Sequence, residues 1–392
     1  MSKKSIVLIT TLFLLFSCKS DSWEYPVGAN RTVIAYILGE NSLSRFVQED
    51  VDEMLEGLES VSNEEDCNFL VYLSNYEYKN QLYRLVKDKK GVASLELVKD
   101  FGNQNSINPE VMREVLHLGF SSYPAEKYGL ILWSHADGWI PAPTTRWFGE
   151  VGHNGPKMDI LDLKKGLASA PHFEFILFDA CFMQSVEVLY ELKAQADYFI
   201  GSPTEIPGPG APYQKVLPEL YKKGNPALGV AKAYYQYYAD KYHPTQNSNS
   251  NWRAGASISV VKSAKLESLA LATAHFFKEN IALNEEIPLD GIMYYDRRKI
   301  GQRYYFDLDG LVESRLGGES AAYMSWKKAY DEAVVFYGTT PTNYTIYLPG
   351  RFSTKGSMGL SVYIPRSYLQ DKTDFYHRFG WYSVGGWKYV GW

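Results

Sequence analysis

The sequence predicts an α/β protein: a mostly parallel central sheet with helices on both faces. Three observations carry that expectation. Strand-like and helix-like segments alternate from about residue 31 onward. Several of the strand-like runs are apolar throughout rather than alternating, which is the pattern of strands buried on both faces. The composition over 392 residues is 45% hydrophobic and 22% charged. That excludes disordered, collagen-like and coiled-coil classes.

The elements follow in order. Thr32–Leu38 is a β-branched, aromatic run broken by Gly39-Glu40-Asn41-Ser42. Val47, Val51, Met54, Leu55 and Leu58 then recur at helical spacing. Phe69–Leu73 is a second strand, and Leu82–Val86 with Leu95–Val98 reads as a hairpin. Asn108-Pro109 opens a helix that carries Val111, Val115 and Leu118. Leu130–Trp133 is an apolar strand, followed by a loop over 137–158 rich in Pro, Gly and Thr. A short helix at about 161–170, a strand at Phe173–Phe178 and a helix striped by Met183, Val186 and Tyr190 come next. Beyond a short strand at Tyr198–Gly201 and a Pro/Gly loop at Ser202–Pro212, helices are expected near 226–240, 263–279 and 320–334. Strands are expected at Asn343–Leu348 and Gly359–Ile364. No linker stands out, so residues 31–392 read as one unit with a C-terminal elaboration.

The N-terminus reads as a targeting segment. Lys3 and Lys4 precede a mostly apolar run from Ile6 to Phe16. It is too short to cross a ~30 Å hydrocarbon core, and suits the apolar region of a secretory signal. Leu15-Phe16-Ser17-Cys18 resembles a bacterial lipobox, in which the cysteine is lipidated and becomes the mature N-terminus. Residues 1–17 are then the signal, 18–30 a tether, and the lipid on Cys18 the membrane attachment of an outer-membrane lipoprotein. The net charge of −5 gives no basic footprint for nucleic acid. Three cysteines, Cys18, Cys67 and Cys181, cannot build a disulfide framework.

Ligands of parallel sheets bind at the carboxyl ends of the strands. Two strands here end in reactive residues. Leu130–Trp133 runs into Ser134-His135-Ala136-Asp137-Gly138, and Phe173–Phe178 into Asp179-Ala180-Cys181. A helix expected just after Cys181 would place the thiol at the positive end of its dipole. A free thiol titrates at about 8.5, so dipole and imidazole together would make it nucleophilic near neutrality. Cys67, at a strand start, reads as a small buried hydrophobe. His172 precedes its strand and lies at the wrong sheet edge. His117, His153, His243, His275 and His377 have no partner motif.

These residues resemble the caspase-like cysteine peptidases, and most closely the clostripain family. The markers are TVIAYILGENSLS at 32–44, AEKYGLILWSHADGW at 125–139, FDACFMQSVEVLYEL at 178–192 and GLSVYIP at 359–365. The resemblance implies a caspase-like three-layer α/β/α sandwich. It implies an endopeptidase that cleaves after Arg or Lys through His135 and Cys181, by way of a thioester acyl-enzyme. It also implies an oxyanion hole from the backbone N–H groups of Ala136 and Cys181. Asp179 matches the family acid, and fits the floor of a pocket for a substrate Arg or Lys. Internal cleavage at Arg146 or Lys157, in the loop between the dyad residues, is the expected maturation step.

Two departures stand out. The family's His-Gly-Gly-Gly is here His135-Ala136-Asp137-Gly138, and the Trp that follows its Pro-Gly-x-Gly is Ala211. An alanine at a position needing positive φ would weaken the oxyanion hole, so a slow peptidase is expected. The alternative is a catalytically silent relative that binds peptide or glycan through Trp139 and Trp147. No metal motif is present. Asp307-Leu308-Asp309-Gly310 with Glu313 suits turn and helix-cap roles better than a calcium loop. No cofactor is expected, although calcium dependence occurs in the family. The expected partners are a peptide or protein substrate and, through the lipid, a membrane.

Overall fold

The computed structural model describes residues 28–62, 67–140, 148–152, 155–244, 255–299, 301–348 and 351–392. The signal, Cys18, Arg146, Trp147 and His153 lie outside the described residues. The chain begins with strand β1 (Ala29–Leu38), helix α1 (Ser44–Glu59), β2 (Cys67–Ser74), and the hairpin β3 (Gln81–Lys87) and β4 (Ala93–Asp100). Then come α2 (Pro109–Ser122), β5 (Ala125–Trp133), short strands β6 (Phe148–Glu150) and β7 (Lys157–Met158), and α3 (Ile160–Leu167). β8 (Phe173–Asp179), α4 (Val186–Leu192), β9 (Ala196–Gly201), α5 (Tyr213–Leu220), α6 (Ala227–Asp240), β10 (Ser257–Lys262) and α7 (Leu266–Asn280) follow. The C-terminal part holds β11 (Phe306–Asp307), α8 (Leu308–Leu316), α9 (Ala321–Ala333), β12 (Val334–Thr339), β13 (Thr342–Tyr344) and β14 (Arg351–Ser353). It ends with β15 (Ser361–Val362), α10 (Gln370–Tyr376) and α11 (Gly380–Val384).

Nine strands form the central sheet in the order β12-β10-β9-β8-β5-β1-β2-β3-β4. The five central strands are parallel, and an antiparallel pair extends each side. Successive side chains of β1 point to opposite faces. Val33, Ala35 and Ile37 pack with Phe46, Val47, Val216, Leu217 and Val230 of α1, α5 and α6. Ile34, Tyr36 and Leu38 pack with Met112, Leu163, Val188 and Phe277 of α2, α3, α4 and α7. The result is the α/β/α sandwich that the sequence implies. The C-terminal elaboration adds Trp326, Tyr330, Trp381 and Trp387 to that second core.

The structure corrects four readings of the sequence. The 137–158 stretch carries a small antiparallel pair, with Phe148 opposite Met158 and Glu150 near Lys157. Gly149 and Gly152, at φ +85 and +77, make its bends. The short helix α5 was not legible, because Pro212 and Pro218 mask its periodicity. The Asn343–Leu348 run pairs only over Thr342–Tyr344. Finally, α4 begins at Val186, with Ser185 as its cap, so Cys181 is not at a helix N-terminus. The residues after Cys181 pair with the next loop instead of coiling. The Phe182 N–H donates to the Thr204 carbonyl (3.0 Å) and the Gln184 N–H to the Ser202 carbonyl (3.1 Å).

Candidate active site

Sheet register brings the ends of the two strands that precede His135 and Cys181 level with each other. Trp133 of β5 pairs with Asp179 of its parallel neighbour β8, and adjacent strands lie about 4.8 Å apart. His135 and Cys181 each follow two residues beyond that level. Both line one cleft of about 630 Å³ at the carboxyl end of the sheet, together with Asp179, Glu205 and Tyr347. His135, Ala136 and Cys181 are half-buried.

The His135 Nε2 is hydrogen-bonded to the Ser42 hydroxyl at 2.8 Å. Ser42 lies on the loop between β1 and α1, inside the 32–44 block, but no spacing in the sequence tied it to His135. The Cys181 Sγ accepts a hydrogen bond from the Ile206 N–H at 3.4 Å. Burial, then Glu205, with smaller effects from Asp137 and Asp179, pushes the Cys181 thiol above its ordinary range. The surroundings of Cys181 thus oppose ionisation of its thiol. This overturns the expectation of a dipole-stabilised thiolate, because the helix starts five residues later and carboxylates surround the sulfur.

Asp179 is 1% exposed. Its Oδ2 accepts from the Ala211 N–H (2.9 Å) and the Tyr213 hydroxyl (3.0 Å), and its Oδ1 from the Tyr234 hydroxyl (3.0 Å). Burial raises it to about 6 against the pull of those three donors. Gly210, at φ +73, passes so close that a Cβ there would meet Asp179 Oδ2 at 2.6 Å. That is the physical reason for a glycine in Pro-Gly-Pro-Gly. Glu205 is a second acid in the cleft. Its Oε1 accepts from the Ile346 N–H at 3.2 Å, while its buried Oε2 has no partner among the described residues. Burial raises Glu205 to about 7.

Ala136 does not take the strained conformation. The described non-glycine residues at positive φ are Lys79, Asn80, Phe182, Asn284 and Arg297. Ala136 is bridged to Phe148, and the neighbouring bond runs from the Gly149 N–H to the His135 carbonyl at 3.1 Å. An alanine therefore fits here without cost, which removes the reason for expecting a damaged oxyanion hole. The positive φ falls on Gly138 instead, at +65 and against the Tyr305 ring.

Asp137, also within the first departure, has a buried partner. The Arg298 Nη2 donates to both Asp137 carboxylate oxygens, at 2.7 and 2.6 Å, and Nη1 to Asp296 at 3.2 Å. The two partners are 161 residues apart, so no local pattern could have found the pair. The guanidinium also sits 5.5 Å from the ring centroid of Phe182, the residue after Cys181.

Other candidates fall out as follows. Lys157 is not on an exposed loop: it lies in β7, half-buried, 3.5 Å from Glu150, and lines the cleft. A peptide bond in a paired strand resists nicking until the pairing opens. Trp139 is 1% exposed and packs on Tyr363, Tyr376 and Phe379. It is a core residue, so it offers no surface to a peptide or glycan. Cys67 is buried. His172 is exposed and bonded to Ala194 and Asp197, away from the cleft. Asp307 caps α8 through the Gly310 N–H at 2.7 Å. Among the described residues, no group of three or more His, Cys, Asp or Glu could hold a metal ion. No described helix is long and apolar enough to cross a membrane.

The comparisons with known proteins agree with this architecture. Residues 35–387 match the model of the clostripain family, Peptidase C11. A secreted C11 cysteine protease from Bacteroides thetaiotaomicron, solved in complex with an irreversible peptide inhibitor, is 44% identical. That likeness covers 92% of this chain and 100% of the other, with a TM-score of 0.83. An inactive zymogen C11 protease from Parabacteroides distasonis is 29% identical over 93% and 100%, with a TM-score of 0.79. Clostripain from Hathewaya histolytica is 26% identical over 134 residues, which is 31% of this chain and 26% of that protein's length. Sheet, cleft and family model converge: this chain belongs to the clostripain family of cysteine-type peptidases.

Proposed function

We propose that the protein is an endopeptidase that cleaves after Arg or Lys, with Cys181 as nucleophile and His135 as its acid–base partner. The single observation that supports this reading is that His135 and Cys181 each follow, by two residues, the paired strand ends Trp133 and Asp179 and line one cleft. Two acids in that cleft, Asp179 and Glu205, supply the charge for a basic side chain. Among the described residues, neither has an arginine or lysine as its hydrogen-bond partner.

The steps follow from the groups present. The Cys181 sulfur attacks the scissile carbonyl carbon while His135 takes the thiol proton. The oxyanion that forms is held by the backbone N–H groups of Ala136 and Cys181. The carbon–nitrogen bond breaks, His135 gives its proton to the leaving amine, and a thioester remains. Water, deprotonated by His135, attacks the thioester and restores the thiol. A bound basic side chain offsets the carboxylates that hold the thiol neutral, so correct substrate favours the attacking form.

Fluorogenic Arg and Lys peptides test the reading, with Cys181→Ala as control. Release of the fluorophore by wild type and none by the variant is expected. No turnover of any basic peptide, with an unlabelled Cys181 after treatment with a basic affinity label, would leave the silent-relative reading.

We further infer a lipid anchor at Cys18, on the Ser17-Cys18 ending of the apolar segment. Cys18→Ser should then leave the membrane fraction or keep an uncleaved signal. Unchanged fractionation and mass would refute it.

A further inference from the structure

One wall of the cleft is apolar and faces water. The segment after β13 presents Ile346, Tyr347 and Leu348 in succession, at 67%, 40% and 42% exposure. Ile346 and Tyr347, with Tyr344, line the same cleft as His135 and Cys181. Single exposed apolar side chains are ordinary, but a contiguous group beside a site marks a binding surface.

This wall is held in place. The Ile346 N–H is bonded to Glu205, which follows Thr204 in the loop that pairs with the residues after Cys181. The Tyr347 N–H donates to the Thr345 hydroxyl at 3.2 Å. The Arg298 Nη2 donates to the Tyr347 hydroxyl at 2.9 Å, and the guanidinium lies 4.8 Å from the Tyr347 ring centroid. Arg298 is itself 5% exposed and fixed by Asp137, two residues beyond His135. So the apolar wall is tied to the loops that carry both dyad residues. Side chains fixed before binding lose little conformational freedom when a ligand covers them, and apolar surface kept in water is stabilised by an apolar cover.

We propose that Ile346 and Tyr347 form a preorganised subsite for an apolar side chain in one of the two residues preceding the basic residue. The substrate is then an apolar–basic segment rather than an isolated Arg or Lys. The proposal rests on the basic specificity inferred above and adds its neighbouring position.

A peptide library randomised at three positions before the scissile bond tests both readings separately. The residue next to the bond reports on basic specificity, and the two before it report on this subsite. Leu or Phe should raise kcat/KM over Asn or Glu by about tenfold at one of those two positions, mainly through KM. Ile346→Ser and Tyr347→Ser should each shrink that ratio, and the double variant should bring it near one. Tyr347→Phe keeps the ring and should keep most of the preference. These side chains are solvent-exposed, so the variants are expected to fold. A flat distribution at both positions overturns the proposal. So does a preference that survives the double variant, or one found only beyond the scissile bond. A double variant that changes the oligomeric state and leaves selectivity intact would assign the wall to self-association instead.

Discussion

Asp179 carries the sharpest consequence at the scale of single residues. Its carboxyl is stripped of water and held by one backbone and two phenolic donors. Burial outweighs those donors, so the carboxyl is pushed up to about 6. The sign follows directly. Below that pH the pocket holds a neutral acid, and above it an anion that attracts a substrate guanidinium or ammonium. kcat/KM for an Arg peptide should therefore rise as pH passes through about 6, with a further rise near 7 as Glu205 ionises. Asp179→Asn should lose the first limb and lower kcat/KM, while labelling of Cys181 by a neutral thiol reagent changes far less and shifts only toward lower pH, because Asp179 is a minor contributor to the raised thiol. If the variant retains both the limb and its preference for basic residues, Asp179 is not the pocket acid. The sequence pointed to this residue through a two-residue offset from Cys181. It could not show Tyr213 and Tyr234, which arrive from elements 34 and 55 residues away.

Loops and helix ends decide how His135 and Cys181 are presented. The segment after Cys181 looked like the first turn of a helix, because Met183, Val186 and Tyr190 have helical spacing. Tertiary pairing overrode that local pattern. Two backbone bonds to the 202–204 loop hold the segment out of the helix, and Phe182 turns at φ +60. Its ring stacks on Tyr305 at 5.1 Å and 7°. Similarly, the loop after β5 is shaped by its bridge to Phe148. That bridge changes the expectation for Ala136. Without positive φ, a glycine there gains no relief of strain and adds freedom to the unfolded chain. Ala136→Gly should leave kcat on an Arg substrate unchanged or lower it, measured beside the midpoint of thermal unfolding. A rise of about tenfold in kcat would show that the alanine does hold the oxyanion donor off its mark.

At the scale of the whole molecule, the core is two-sided. Each central strand feeds alternate side chains to the two helix layers, so the sheet is dry on both faces. Polar chemistry is thereby confined to strand ends, where the chain leaves the sheet. That much is fixed by the amino-acid order. Continuous apolar runs determine a buried parallel sheet, and the residues that end those runs determine which side chains reach its carboxyl edge. The order therefore specified His135, Asp179 and Cys181 as neighbours in kind. It did not specify the partners that set their chemistry. Ser42 on His135, Ile206 on Cys181, the two tyrosines on Asp179 and Arg298 on Asp137 are contacts between distant segments. Local periodicity carries no information about such contacts, because they depend on strand order and loop path. Burial depends on them too. The upward shifts of the Cys181 thiol and the Asp179 carboxyl come chiefly from desolvation within the packed fold, and only the tertiary structure decides how much water each group has lost.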